Sequence, residues 1–158
     1  MKPRVYIETT IVSYLVASGS RDVIQSAHQE ITRAWWERRS QFDLYVSRTV
    51  VAEARRGHPD AVARRLDALR GIPRLAAGTR VVALAETLIR NGTLPTQALV
   101  DGIHVGIAAV NGIEYLLTWN LRHLANAVIR GKIDEAVRKA GLVPPVICTP
   151  EELMEANS

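Results

Sequence analysis

Short apolar runs separated by longer stretches of helical periodicity recur along this chain, the pattern of βαβ units wound about a parallel sheet. The first run, Arg4 to Ile7, ends at Glu8-Thr9-Thr10, where a threonine can cap a helix beginning near Ile11. That places Glu8 at the carboxyl end of a strand, the edge where open α/β sheets keep their sites. A helix over Val23 to Arg39 and a strand over Leu44 to Val46 follow, and Ser47 then caps a helix carrying Val50, Val51 and Glu53. Further on, Pro59 opens a helix to about Leu69, Ile72 to Leu75 is a weak strand, and Thr79 to Arg90 is a helix stopped by Asn91-Gly92. Pro95 opens a helix to about Val110 that feeds the strand Tyr115 to Thr118. Helices between Leu121 and Ala140 lead to a last strand at Val146 to Cys148 and a short capped helix after Pro150. The expected fold is α/β and doubly wound, a mostly parallel sheet of about five strands with helices on both faces.

At 158 residues and 47% hydrophobic content, the chain suits one domain over residues 1–158 with one core. Its lone cysteine, Cys148, excludes an intrachain disulfide and a cysteine zinc site. Met1 to Thr10 lacks the apolar stretch of a signal peptide, and no run is long enough to span a membrane, so a cytoplasmic location is expected. The net charge is +4, and all but Lys2, Lys132 and Lys139 of the 20 basic residues are arginine. Arginine grips phosphate in a bidentate fork, so an anionic partner is favoured.

On the helix from Pro95, positions 94, 98, 101, 105 and 108 form one stripe reading Leu, Ala, Asp, Val, Ala. Asp101 therefore stands where an apolar residue belongs, and burying it unpaired would cost several kcal/mol. An ordinary hydrogen-bonded Asp, helped by His104, would meet that need; so would a metal ion. Glu8 and Glu53 lie at or just beyond the same sheet edge. Three carboxylates gathered there repel one another unless a hard divalent cation neutralises them, and oxygen ligands of this kind suit Mg or Mn. Such an ion activates a water and stabilises charge growing on a phosphoryl oxygen.

The segments Val5-Tyr6-Ile7-Glu8-Thr9-Thr10, Ser47 to Glu53, Asp101 to Ala109 (DGIHVGIAA) and Leu116-Leu117-Thr118-Trp119-Asn120 with Arg122-His123 together resemble the PIN-domain family, and within it the VapC-like toxins of toxin-antitoxin pairs. The resemblance implies Mg- or Mn-dependent cleavage of RNA with one or two ions, a cognate antitoxin, and a homodimer. It maps the acidic positions of the family onto Glu8, Glu53 and Asp101 as metal ligands, with Asn120 completing the catalytic set. Glu8 replaces the usual Asp, and Asn120 supplies a neutral oxygen where an acid is common. Thr9, His104 and His123 are expected behind the ligands, although a helix cap explains Thr9 equally well.

Other classes fit poorly. There is no adjacent acidic pair at the first strand, as a receiver domain needs, and neither GxGxxG, GxxxxGK nor HExxH occurs. The rival reading is a PIN-like module that has lost catalysis and binds RNA or a protein partner. Trp35 and Trp36 with Arg38 and Arg39 could stack on a single strand, but an interface position suits the pair better.

Overall fold

The computed structural model describes residues 1–155, so the expected domain boundary at 158 lies outside the described residues. Five strands, β1 (Arg4–Ile7), β2 (Asp43–Ser47), β3 (Arg74–Leu75), β4 (Tyr115–Leu117) and β5 (Val146–Cys148), form one sheet in the order β3-β2-β1-β4-β5. Every pairing is parallel, with Val5 opposite both Leu44 and Tyr115. The chain winds outward from β1 to β3, then crosses back to β4 beside β1. With right-handed crossovers, the helices of the two halves fall on opposite faces. The contacts agree. Helices α1 (Thr9–Val16), α2 (Val23–Glu37), α3 (Arg48–Ala54) and α4 (Pro59–Ala68) pack among themselves, and α8 (Pro150–Glu155) joins α2. On the other side α5 (Thr79–Arg90) packs on α6 (Leu99–Val110) and on α7 (Ala127–Lys139).

Reversal of the winding direction between β1 and β4 creates a topological switch point at their carboxyl ends, the crevice where ligands bind in doubly wound sheets. Glu8 follows β1 and Thr118 follows β4, and the Glu8 amide donates to the Leu117 carbonyl at 3.1 Å. The sheet edge thus fixes Glu8 against the β4 turn.

One core runs through both layers. Val5, Tyr6 and Ile7 are fully buried, as a central parallel strand covered on both faces requires. In α5 the buried residues Val81, Leu84, Ala85 and Leu88 follow helical spacing, and they meet an α6 that is buried almost all round. Leu94, Ala98, Val105 and Ala108 of the expected stripe are buried, and Asp101 alone among the five stays partly open. Gly92 stops α5 as expected: at φ +78° its amide reaches the Ile89 carbonyl.

Three local expectations are corrected. α1 starts at Thr9, because Glu8 itself is the cap and its side chain accepts from the Thr10 amide. Pro95 precedes a 3₁₀ turn over Thr96–Ala98, and α6 begins only at Leu99. Residues 121–126 form turns rather than helix, since the Asn120 carbonyl takes both the Leu124 and Ala125 amides and the Asn126 side chain caps α7. Trp35 is a core residue stacked on Phe42, which removes it from any interface, while Trp36 lies half-buried under the Arg39 guanidinium.

Candidate metal centre

The end of β1, the last turn of α3 and the first turns of α6 bring Glu8, Glu53 and His104 together, with one ligand atom from each within 4.8 Å of the others. The three positions come from three crossover units, and each is held there by local chemistry.

Glu8 is nearly buried, and three donors converge on its Oε1: the Thr10 amide at 3.2 Å, the Thr10 hydroxyl at 2.5 Å and the Thr118 hydroxyl at 2.6 Å. Both hydroxyls are spoken for on their other side, Thr10 by the Trp119 amide at 2.8 Å and Thr118 by the Asn120 amide at 2.9 Å. Each threonine therefore has its own proton free to donate to the Glu8 carboxylate. No protein donor among the described residues reaches Oε2, leaving that oxygen for another ligand. The one Glu8 carboxylate thus caps α1 and also reaches the β4 turn.

Glu53 sits over the same edge from α3, whose first turn is fixed by the Ser47 hydroxyl accepting from the Val50 amide. Its Oε1 accepts from the Thr9 hydroxyl at 2.6 Å and lies 2.7 Å from His104 Nε2. Thr9 is thus a support of Glu53. His104 is wholly buried, and its other nitrogen lies 2.7 Å from the Tyr6 hydroxyl, which in turn lies 2.7 Å from Ser47 Oγ. His104 Nε2 thus joins the carboxylates of Glu8 and Glu53 in the converging group.

Electrostatics follow from this packing. Burial pulls the His104 imidazole down, but the Glu53 hydrogen bond and the charges of Glu8, Glu53 and Asp101 outweigh it and hold His104 above its ordinary value. Burial likewise pushes Glu53 up, and the His104 hydrogen bond and charge, the Thr9 hydroxyl and Arg56 more than reverse it, leaving Glu53 below its ordinary value. Burial raises Tyr6 far above the usual phenol range, so its hydroxyl keeps its proton.

A pH dependence of stability follows for protein stripped of metal. Glu53, held below its ordinary 4.5, stabilises the fold above that value and loses its contribution as pH falls through its lowered pKa. His104, held above its ordinary 6.5, stabilises the fold below that value and loses its contribution as pH rises through its raised pKa. Both contributions are present between 4.5 and 6.5. Thermal melts in chelator are expected to peak in that window, with a shallower alkaline fall in Glu53→Gln. An identical alkaline fall in the variant would show that the pair does not couple stability to pH.

Asp101, Asn120 and His123 form a neighbouring cluster. Asp101 Oδ1 accepts from Asn120 Nδ2 at 3.1 Å, Oδ2 lies 3.1 Å from His123 Nδ1, and Asn120 Oδ1 accepts from the His123 amide at 3.0 Å. Asp101 lies outside the group of converging ligand atoms, although its charge reaches His104 one turn along α6. The buried-acid argument thus meets a protein answer at Asp101: an amide and an imidazole partner it.

The donor set fits a divalent cation. Two carboxylates and an imidazole converge, Oε2 of both Glu8 and Glu53 lacks a donor, and among the described residues no lysine or arginine is bonded to either acid. A separate groove of about 590 Å³, lined by Trp36, Arg39, Tyr45 and Pro73 among others, takes in Asp43 and Leu44 at the amino end of β2 and contains none of these residues.

No protein-family model matches the chain, and no curated protein matches it in sequence. Solved structures match it in shape. A chain of VapBC2 from Rickettsia felis, crystallised bound to a DNA fragment from their promoter, superposes with a TM-score of 0.58 at 13% identity, over 92% of this chain and 98% of that one. VapC20 from Mycobacterium tuberculosis, a sarcin-ricin loop cleaving toxin, gives a TM-score of 0.53 at 21% identity, over 71% of this chain and 86% of that one. The fold is that of the VapC-like PIN-domain toxins. Among the described residues, no helix is long and apolar enough to cross a membrane.

Proposed function

We propose that this chain is a divalent-metal-dependent ribonuclease, the toxin of a toxin-antitoxin pair, working in the cytoplasm. The observation that carries the reading is the convergence of Glu8, Glu53 and His104 at the switch point of a VapC-like fold. Glu8 and Glu53 hold Mg or Mn, one ion or two, together with His104. A bound divalent ion lowers the pKa of a water and takes up charge on a phosphoryl oxygen, so no side-chain nucleophile is required. The chain's own part is to fix that ion and its substrate.

Thr10 and Thr118 lock Glu8, and Thr9 locks Glu53, so both carboxylates are preorganised before substrate arrives. Asp101 and Asn120, with His123 beside them, extend the polar face along the same edge and complete the catalytic set. Exposed Arg48 at the start of α3 and Arg122 in the turn after β4 flank this edge. They attract the phosphates that the acids alone would repel. An RNA substrate suits the fold's likeness to VapC20, a cognate antitoxin suits its likeness to VapBC2, and a homodimer completes the proposal.

The test is incubation of total RNA with purified protein in chelator, Mg²⁺ or Mn²⁺, beside Asp101→Asn. Cuts that need the ion and are lost in the variant, which stays folded, are expected. Cuts that persist in chelator would overturn the metal mechanism. Absence of cutting by folded protein under either ion would leave a module that binds RNA or a protein partner.

A further inference from the structure

We propose that Trp119 is a positioning residue of the metal centre, through which α2 fixes the contact of Thr10 with Glu8. The proposal rests on the reading of Glu8, Glu53 and His104 as a metal centre. It starts from the turn after β4. Residues 118–126 carry no helix or strand, yet Thr118 bonds Glu8 and Asn120 bonds Asp101. A turn that supplies two site residues needs an anchor outside itself, and the residue between them provides one.

The Trp119 side chain is buried against α1 and α2. Its indole N–H donates to Thr32 Oγ1 at 2.7 Å, and the Thr32 hydroxyl donates its own proton to the His28 carbonyl at 2.6 Å. The His28 ring stacks on the indole with centroids 3.9 Å apart at 12°, and Tyr14 of α1 meets it edge-on at 6.3 Å and 70°. Stacking alone lets a ring slide in its plane, whereas a hydrogen bond at one edge fixes its rotation. The indole is therefore held in place and in angle from α2, 87 residues away in sequence. Phenylalanine would stack there without burying an N–H that needs an acceptor, so the indole bond is more than packing requires.

The backbone of the same residue serves the site. Its amide donates to Thr10 Oγ1 at 2.8 Å, which occupies that oxygen as an acceptor and leaves the Thr10 proton for Glu8 Oε1. A shift of the indole carries this amide with it, and with it Thr118 and Asn120 on either side. The path thus runs from α2 through one side chain and one amide to a carboxylate of the proposed centre.

The indole bond can be removed from either end. Trp119→Phe keeps a ring for His28 and leaves no donor unpaired, because Thr32 still donates to the His28 carbonyl. Thr32→Val keeps the shape and takes away the acceptor, and Thr32→Ser restores it. These variants and the Trp119→Phe/Thr32→Val double are compared with wild type by RNA cleavage at saturating Mn²⁺, by calorimetric titration of the chelator-stripped full chain with Mn²⁺, and by thermal melts. Trp119→Phe and Thr32→Val are each expected to lose about tenfold in kcat with KM within about twofold, inside the roughly hundredfold that a 1 Å misplacement can cost. Mn²⁺ affinity is expected to fall about tenfold in each, the lower end of what losing an outer partner of a metal ligand costs. The double should lose no more than either single, since both remove one bond, and Thr32→Ser should match wild type. A lower melting temperature with kcat and Mn²⁺ affinity unchanged would make Trp119 mere scaffolding and overturn the proposal. Losses that add in the double, or that persist in Thr32→Ser, would overturn it too. Wild type that neither binds Mn²⁺ nor cuts RNA would overturn the metal-centre reading along with it, whereas wild type that does both beside variants that match it would overturn this proposal alone.

Discussion

Glu53→Gln is expected to reduce metal-dependent RNA cleavage by at least about a hundredfold, beyond the upper end of what losing an outer partner of a metal ligand usually costs. The amide has no negative charge to offer a cation, so Glu8 is left as the only carboxylate within the converging group. The variant should nonetheless fold. The substituted amide retains an oxygen to accept from the Thr9 hydroxyl and from His104 Nε2, the two bonds that Glu53 makes at 2.6 and 2.7 Å. No buried donor is orphaned, so the larger penalty of an unpaired polar group is avoided. Cleavage assays with Mn²⁺ at pH 6 and 8, paired with circular dichroism, separate loss of chemistry from loss of fold. Activity within a few-fold of wild type would remove Glu53 from the metal centre.

The same residue shows how far sequence alone reaches. Glu8 could be placed because β1 is an uninterrupted apolar run that ends on it, and Glu53 because Ser47 marks the start of its helix; both signals are local. Asp101 betrayed itself by interrupting an apolar stripe, and the stripe is indeed buried on either side of it. What stayed hidden depends on contacts between distant segments. His104 looked like a supporting residue because nothing near it in sequence shows that Nε2 meets Glu53, 51 residues away, while Nδ1 meets Tyr6, 98 residues away. A tyrosine in the middle of the central strand was the available hint, since its hydroxyl had to find a partner in the core. The roles of Thr10 and Thr118 were equally hidden. Their hydroxyls meet at Glu8 only because β1 and β4 are neighbours in the sheet, although Thr118 was recognisable as lying near the edge. The misplaced start of α1 has a local cause: Glu8 competes with the threonines for the cap, and a glutamate is a rarer cap than threonine.

Gly106→Ala is expected to destabilise the protein by about 1–3 kcal/mol and to weaken metal binding at a position that touches no ligand. A β-carbon there would lie 2.9 Å from the Val81 carbonyl oxygen and 3.2 Å from Val81 Cα, both backbone atoms of α5. Backbone cannot swing aside as a side chain can, so α5 and α6 must part. Alanine's higher helix propensity returns up to about 1 kcal/mol, too little to offset overpacking along the face where the two helices meet. The displacement matters for function because α6 carries both Asp101 and His104, the latter only two residues before Gly106. Even a small shift of α6 loosens the 2.7 Å approach of His104 to Glu53. Gly131→Ala supplies the opposite sign. That glycine is exposed within α7, no atom beyond its own stretch of helix backbone lies within 4 Å of where its β-carbon would sit, and its φ is not positive. It should therefore gain about 0.5–1 kcal/mol from propensity alone. Chemical denaturation of the two variants, with Mn²⁺ titrated into each, tests the argument as a pair. Equal stability changes would mean that helix propensity governs both sites and that the close contact of α5 with α6 does not hold the metal centre in register.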